Sequence, residues 1–163
     1  MSEKPNVSVQ NLRSLIEKLR SRQQTVGFGE SCTGGLLSAT VSALPGVSDV
    51  FMGSVVSYSY QAKVDLLDVT WNVLKAEGAV SDRVARQMAR GVRSSLKCDW
   101  SVAITGIAGP TGGTEEKPVG TVWFAVSGLV FEATEKKLFS GSRTEIQKQS
   151  VDFAIELLLK SMD

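Results

Sequence analysis

The chain has 163 residues, of which 42% are hydrophobic and 21% charged, and its formal net charge is +1. This length and composition predict a folded chain with a sizeable core, and we expect one domain across residues 1–163. The near-neutral charge argues against nucleic-acid binding through phosphate neutralisation. No apolar stretch is long enough to span a membrane, and the polar N-terminus lacks a signal-peptide pattern, so we expect a cytoplasmic protein without membrane contact.

Histidine is absent from the sequence, which restricts the chemistry more than any other count. The absence excludes Ser-His-Asp and Cys-His catalysis within the chain and removes the commonest zinc ligand. The two cysteines, Cys32 and Cys98, show no metal-ligand spacing, and in a reducing cytosol they would stay unpaired. If the chain has a catalytic nucleophile, a group other than histidine must accept its proton.

The first half of the chain alternates between helical and strand patterns. Apolar residues recur at helical spacing near the N-terminus, and runs of β-forming residues follow. In chain order the patterns predict a helix over 9–20, a strand over 25–28, a helix over 36–43, a strand over 51–59 and a short helix over 61–67.

The second half predicts a long helix, a hairpin and a final helix. Val84, Met88, Val92 and Leu96 recur every four residues after Ser81, a typical N-cap. A strand over 100–105, a long loop, paired strands over 121–127 and 129–139, and a helix that begins at the capping-box sequence of residues 142–145 follow in order. This order predicts an α/β domain with helices on both faces of a mixed, mostly parallel sheet.

The segment GESCTGG, residues 29–35, joins a predicted strand to a predicted helix. Free backbone N–H groups at such a junction favour a negative charge, such as a phosphate or an oxyanion, and glycines let a ligand approach the backbone. A Ser or Thr helix cap with glycines needed for packing fits the pattern equally well. The segment matches neither the dinucleotide fingerprint nor the phosphate-binding P-loop.

Ser31 and Cys32 are the candidate nucleophiles in this segment. A serine needs a base, and Lys63 is the candidate, provided that burial or a cationic neighbour lowers its pKa from about 10.4. Tyr58 is the candidate for a proton relay that assists Lys63. Taken alone, Lys63 also fits an exposed lysine after a strand, and Cys32 also fits a small buried hydrophobe.

The loop GIAGPTGGTEEKPVG, residues 106–120, is too long and too rich in glycine for an ordinary connection. Loops of this length are usually functional or disordered, so a mobile surface loop is the alternative. Its backbone amides and hydroxyls suit the phosphate and ribose of a nucleotide, and Lys117 could add a positive charge.

Five segments together carry a resemblance to a known family. GESCTGGLLSA, GSVVSYSYQAK, GAVS, AITGIAGPTGGTEEKPVGTVWFA and FSGSR resemble the CinA C-terminal domain family, from about residue 8 to residue 160. The family includes stand-alone nicotinamide-nucleotide amidases. The resemblance implies a three-layer α/β/α domain that forms homo-oligomers, dimers or higher, and that uses no metal and no cofactor.

The resemblance also implies an activity, the conversion of nicotinamide mononucleotide to nicotinate mononucleotide and ammonia. It implies that Ser31 is the nucleophile, Lys63 the base and Tyr58 a third catalytic residue. Tyr60 stands where many relatives have asparagine. The predicted substrate-binding residues are Glu30, Thr33, Gly34, Gly35, Thr105, Gly106, Gly109, Gly112, Gly113, Lys117 and Arg143. Arg143 is the candidate for the phosphate, although a role in the helix cap suits it equally.

Two other hypotheses fit the same residues. The chain could be a non-catalytic nucleotide-binding module that serves as an adaptor in competence or DNA damage, with Ser31 only donating a hydrogen bond. Alternatively, it could be an enzyme that uses the Cys32 thiol. Loss of turnover on Ser31→Ala but not on Cys32→Ala would favour the serine enzyme over both.

Overall fold

The computed structural model of the chain describes residues 7–163. A single 3₁₀ turn, Val47–Asp49, lies between the second helix and the second strand. The other elements are α1 (Val7–Ser21), β1 (Val26–Glu30), α2 (Leu36–Ser42), β2 (Phe51–Val56), α3 (Tyr60–Leu67), α4 (Trp71–Glu77), α5 (Asp82–Leu96), β3 (Trp100–Gly106), β4 (Thr121–Ser127), β5 (Glu132–Leu138) and α6 (Arg143–Ser161).

The five strands form one sheet in the order β2-β1-β3-β4-β5. The central strand pairs β1–β2 and β1–β3 are parallel, and β4 runs antiparallel to both β3 and β5. Four strands therefore share one direction and only β4 is reversed, since the β4–β5 hairpin follows a loop that returns the chain beside β3. The predicted mixed, mostly parallel sheet is confirmed.

Helices cover both faces of this sheet. Helices α1, α2 and α6 bury Leu15, Leu37 and Leu158 against one face. Helices α3, α4 and α5 bury another cluster, which includes Leu67 and Met88, against the opposite face. The two clusters make a three-layer α/β/α arrangement and confirm the predicted fold class.

Helices α3 and α5 approach each other closely because Gly91 has no side chain. A Cβ at this position would lie 2.1 Å from the carbonyl oxygen of Leu67, which no other residue could accommodate without a shift of the backbone. This contact holds the end of α3 against α5, which in turn packs on the sheet.

Four details of the sequence prediction are wrong. The strand predicted over 129–139 begins at Glu132, because residues 128–131 form the hairpin turn. The second strand ends at Val56 rather than at residue 59, because the chain turns there and Ser59 becomes the N-cap of α3, accepting a hydrogen bond from Ala62 N. Helix α4 was not predicted, since its seven residues bury only Val73 and Leu74. Val9, placed on the apolar face of the first helix, is exposed.

Among residues 7–163, no helix combines the length and the apolar character needed to cross a bilayer. The same residues contain no cluster of three or more histidine, cysteine or carboxylate side chains that could ligate a metal ion.

Candidate active site

Three chain segments end together at the carboxyl edge of the parallel strands. Ser31 follows β1, Tyr58 follows β2 and Gly106 ends β3. They border a cleft of about 260 Å³. Its lining residues are Ser31, Cys32, Tyr58, Lys63, Ala79, Val80, Thr105, Gly106, Ile107, Ala108, Gly109, Thr111, Gly112 and Arg143. This is the crevice in which open α/β sheets usually bind ligands.

Ser31 and Lys63 are in direct contact within the cleft. Lys63 Nζ lies 2.8 Å from Ser31 Oγ and donates to the carbonyl oxygen of Ser57 at 2.6 Å. The lysine is only 1% exposed, and no carboxylate in residues 7–163 forms a salt bridge with it. Burial therefore lowers the pKa of Lys63 to about 8. A substantial fraction of the lysine is then neutral near physiological pH and can accept the proton of Ser31.

Tyr58 and Arg143 form a linked pair at the mouth of the cleft. The Arg143 guanidinium donates to Tyr58 Oη at 2.7 Å and to the carbonyl oxygen of Gly109 at 2.8 Å. Because the phenol oxygen accepts from arginine, its own proton remains free to be donated. The tyrosine side chain is 60% exposed, so that proton can exchange with water or with a group in the cleft.

Glu30 lies beneath the cleft rather than in it. Its side chain is completely buried and accepts four hydrogen bonds, all from the protein. The donors are Thr33 Oγ1, Leu37 N, Ser38 N and Ser54 Oγ, at 2.8 to 3.1 Å. Glu30 and Thr33, both predicted to bind substrate, are therefore satisfied by each other and by the first turn of α2.

The Glu30 contacts also alter the expected role of the GESCTGG segment. At the start of α2, the N–H groups of Leu37 and Ser38 donate to the Glu30 carboxylate, which takes the place expected for a bound anion. Ser31 lies five residues before Leu36, the first residue of the helix, and Gly35, with φ of 104°, leads into it. Gly34 is exposed and has open space around it, so of the two glycines it offers the freer approach to the backbone.

Some backbone donors of this turn are already engaged. Ser31 N–H donates to the carbonyl oxygen of Ile104, and Gly34 N–H donates to that of Ser31. Within residues 7–163, the N–H groups of Thr33 and Gly35 have no hydrogen-bond partner, and that of Cys32 contacts only its own thiol. These three amides are the donors left for an oxyanion beside Ser31, and those of Cys32 and Thr33 lie nearest to it in the chain.

The Cys32 thiol is poorly suited to be the nucleophile. It is buried, and burial raises its pKa to about 12. Since the thiolate is the reactive form, almost none of it exists at neutral pH. Its backbone carbonyl accepts a hydrogen bond from Gln147 of α6 at 2.9 Å, which ties the turn to that helix.

The glycine-rich loop divides between the cleft and the surface beside it. Gly113 and Lys117 do not line the cleft: a Cβ at Gly113 would lie 2.6 Å from Val119 N, and Lys117 Nζ donates to the carbonyl oxygen of Glu77 at 2.6 Å. The predicted loop-region residues that line the cleft are Thr105, Gly106, Gly109 and Gly112.

Sequence reasoning missed one whole wall of the cleft. Ala79 and Val80, in the connection between α4 and α5, line it together with Ile107 and Ala108. None of these four side chains carries a polar group. The signal for Ala79 and Val80 was the segment GAVS, which belongs to the resemblance, whereas Ile107 and Ala108 lie in the glycine-rich loop that the sequence had singled out.

Comparisons with known proteins agree on one family. The family described as "CinA C-terminal domain" matches residues 9–162. A CinA-like protein of Prochlorococcus marinus subsp. pastoris is 48% identical over 149 residues, which cover 89% of this chain and 34% of the relative. A CinA-like protein of Pseudothermotoga lettingae is 38% identical, over 91% of this chain and 37% of the relative. The chain thus spans about a third of the length of these relatives.

The fold is shared with solved structures of the same group. The crystal structure of the competence/damage inducible protein CihA from Agrobacterium tumefaciens has a TM-score of 0.95 and 35% identity, covering 100% of both chains. The match extends over nearly every residue that the structure describes and includes the cleft. The chain belongs to the CinA C-terminal domain family.

Proposed function

We propose that the chain is an amidohydrolase that converts nicotinamide mononucleotide to nicotinate mononucleotide and ammonia. The observation that carries the proposal is the buried Ser31–Lys63 contact of 2.8 Å. Burying a lysine without a carboxylate partner is costly for stability, and lysines buried in this way are rare in proteins. An unpaired lysine next to a serine is a known solution for acyl transfer without histidine.

The first half-reaction forms an acyl-enzyme. Ser31 Oγ attacks the carboxamide carbon while neutral Lys63 accepts the serine proton. The N–H groups of Cys32 and Thr33 stabilise the oxyanion, and such a donor contributes roughly 3–4 kcal/mol where it has been measured. Collapse of the tetrahedral intermediate breaks the C–N bond. Protonated Lys63, with Tyr58 as relay, supplies the proton with which the amide nitrogen leaves as ammonia.

The second half-reaction consumes one water molecule. Neutral Lys63 takes a proton from that water, whose oxygen attacks the acyl carbon. The ester bond to Ser31 then breaks, the proton passes from Lys63 to Oγ, and the carboxylic acid product loses its own proton to the solvent and leaves as the carboxylate. Lys63 thus acts as base and acid in alternate steps, which suits a pKa of about 8.

The residues at the rim of the cleft support the proposal that the substrate is a nucleotide. The guanidinium of Arg143 lies there, and the loop residues Gly109 and Gly112 line the same opening. A glycine-rich loop beside an arginine suits a phosphoribosyl group, since backbone amides and a guanidinium both bind phosphate oxygens. The resemblance to nicotinamide-nucleotide amidases supports the same substrate.

The test is ammonia release from nicotinamide mononucleotide by the purified protein, with Ser31→Ala and Cys32→Ala as a matched pair. We expect Ser31→Ala to lose turnover by at least 10³-fold and to keep its circular-dichroism spectrum, and Cys32→Ala to keep turnover within a few-fold. Loss of activity in Cys32→Ala alone would favour the thiol. Binding of the nucleotide without ammonia release would favour the non-catalytic module and refute the proposal.

A further inference from the structure

The connection between α4 and α5 forms a thin wall of the cleft. This segment, residues 77–80, is called the 77–80 wall below. Ala79 and Val80 line the cleft. Val80 also lines a separate cavity of about 460 Å³, together with Glu77 and Trp123. Because the wall has a cavity on each side, core packing alone does not fix its position.

Hydrogen bonds from three different parts of the fold hold this wall. Tyr60 Oη, on α3, accepts from Ala79 N at 3.2 Å. Thr105 Oγ1, on β3, donates to the carbonyl oxygen of Ala79 at 2.9 Å. Lys117 Nζ, in the glycine-rich loop, donates to the carbonyl oxygen of Glu77 at 2.6 Å. Thr105 and Lys117, both predicted to bind substrate, therefore use their side-chain donors to hydrogen-bond the 77–80 wall.

Tyr60 is the contact that relates the wall to the catalytic pair. It begins α3, one helical turn before Lys63. Its ring contacts that of Trp71, at the start of α4, with 6.4 Å between the centroids. Gly78 has φ of +73°, and the position of a Cβ there is 3.8 Å from Tyr60 Oη and 3.7 Å from Lys117 Nζ. Helix α3 thus carries both Lys63, the proposed base, and Tyr60, whose phenol oxygen binds the 77–80 wall.

We propose that Tyr60 is a positioning residue that sets the distance between the 77–80 wall and the Ser31–Lys63 pair, and thereby how well the aromatic ring of the substrate fits the cleft. The inference rests on the proposed function. The Ala79 methyl and the Val80 side chain offer an apolar surface on which a pyridine ring can lie while its carboxamide reaches Ser31. Tyr60 touches neither the ring nor the reacting atoms and acts through Ala79 N.

Kinetics of Tyr60→Phe test this role, because the variant removes only the hydroxyl. The wall contacts the ring equally in the ground state and in the transition state, so its displacement weakens uniform binding. We expect KM for nicotinamide mononucleotide to rise five- to tenfold, kcat to stay within twofold and the pH at half-maximal kcat/KM to stay unchanged. Tyr60→Asn, too short to reach Ala79, should give the same pattern.

The matched control is Ser21→Ala, which also removes one hydroxyl bonded to a backbone group, here the carbonyl oxygen of Lys18. Ser21 ends α1, at the opposite end of the sheet, and the control should change neither KM nor kcat. Unchanged kinetics in Tyr60→Phe, or a fall in kcat at constant KM, would overturn the inference.

Hydrogen exchange separates this inference from the proposed function. The amide of Ala79 should exchange faster in Tyr60→Phe than in the parent, whether or not the protein is an amidase. If the parent releases no ammonia, the proposed function fails. The role of Tyr60 then stands only if the calorimetric Kd for nicotinamide mononucleotide still rises at least fivefold in the variant. Unchanged exchange at Ala79, or no binding by the parent, would refute it.

Discussion

The two ends of the sheet differ in what they bring together. At the carboxyl end of β1, β2 and β3, three separate segments bury polar groups, including Lys63 and Glu30. At the other end, the turn of the β4–β5 hairpin exposes Leu129 and Val130, which are 84% and 97% accessible. Parallel strands end at a common edge and so gather distant residues, whereas a hairpin turn offers one continuous segment. The candidate catalytic residues therefore lie at the carboxyl ends of the parallel strands.

The same edge also keeps two buried charged groups apart. Glu30 is satisfied by hydroxyls and helix amides, while Lys63 is satisfied by Ser31 and the carbonyl oxygen of Ser57. If Glu30 paired with Lys63, the carboxylate would stabilise the charged lysine and raise its pKa. Lys63 can serve as a base because the buried carboxylate of Glu30 accepts hydrogen bonds from α2 instead of pairing with the lysine.

The largest effect is expected for Lys63→Met, which keeps the length of the side chain and removes the base. Turnover of nicotinamide mononucleotide should fall by at least 10³-fold, because Ser31 loses its proton acceptor. The melting temperature should stay close to that of the parent, since methionine suits a buried position and removes the cost of burying the amine. Steady-state kinetics and calorimetry measure the two quantities.

Lys75→Met is the control for that prediction, because Lys75 is exposed on α4. It should change neither quantity. Retention of more than a tenth of the parent activity in Lys63→Met would contradict a role for this lysine as base.

Glu30→Gln should have the next largest effect, mainly on stability. An amide nitrogen replaces one carboxylate oxygen and faces two donors, so two of the four hydrogen bonds are lost within a buried site. We expect a decrease of about 2–4 kcal/mol in the free energy of unfolding, together with a lower kcat because the turn that carries Ser31 loosens. Urea unfolding measures the first and kinetics the second.

The exposed Glu156 on α6 supplies the matched control, Glu156→Gln, which should stay within about 0.5 kcal/mol of the parent. An unfolding free energy for Glu30→Gln equal to that of this control would show that the Glu30 contacts do not hold the turn.

The pH dependence of kcat/KM should follow the titration of Lys63. Burial lowers its pKa to about 8, and the neutral amine is the form that acts as base in the proposed mechanism. The rate should therefore rise about tenfold per pH unit from pH 6.5 and level off above pH 8. The unfolded chain holds this proton up to a pKa of about 10.4, so the contribution of Lys63 to stability also rises with pH between about 8 and 10.4. A flat or falling rate between pH 6.5 and pH 8 would contradict the assignment.

The smallest effect is expected at the hairpin turn, where Leu129→Ser changes an exposed side chain far from the cleft. We expect kcat/KM within twofold of the parent and an unfolding free energy within about 0.5 kcal/mol. Kinetics and urea unfolding, in parallel with the variants above, make the measurement. A tenfold loss of activity would show that the two ends of the sheet are not functionally independent.

Local patterns predicted most of the elements because their signals are short-range. The four-residue apolar period after Ser81 and the capping box of Ser142 and Glu145 both appear in the structure where the sequence put them. Helix α4 escaped prediction because two buried residues in seven give too weak a period. The strand predicted over 51–59 was too long because β propensity does not report where the chain turns.

The site depended much more on contacts between distant segments. The sequence singled out Ser31, Lys63 and Tyr58, but their separation of up to 32 positions says nothing about distance. Glu30 and Lys117 were both among the residues predicted to bind substrate. In the structure, Glu30 binds α2 and Lys117 binds the 77–80 wall. Lys117 lies far from that wall in the sequence and meets it only in the folded chain.

By itself, the sequence determined the order of the strands and of every helix except α4, the absence of histidine chemistry, and a serine, a lysine and a tyrosine available to replace it. Tertiary structure alone decided that Lys63 is buried beside Ser31, that Glu30 points away from it and that an apolar wall faces the cleft. The physical reason is that helix and strand periodicity is a property of neighbouring residues. Burial, and with it the pKa of Lys63, depends on which distant segments exclude water from the amine.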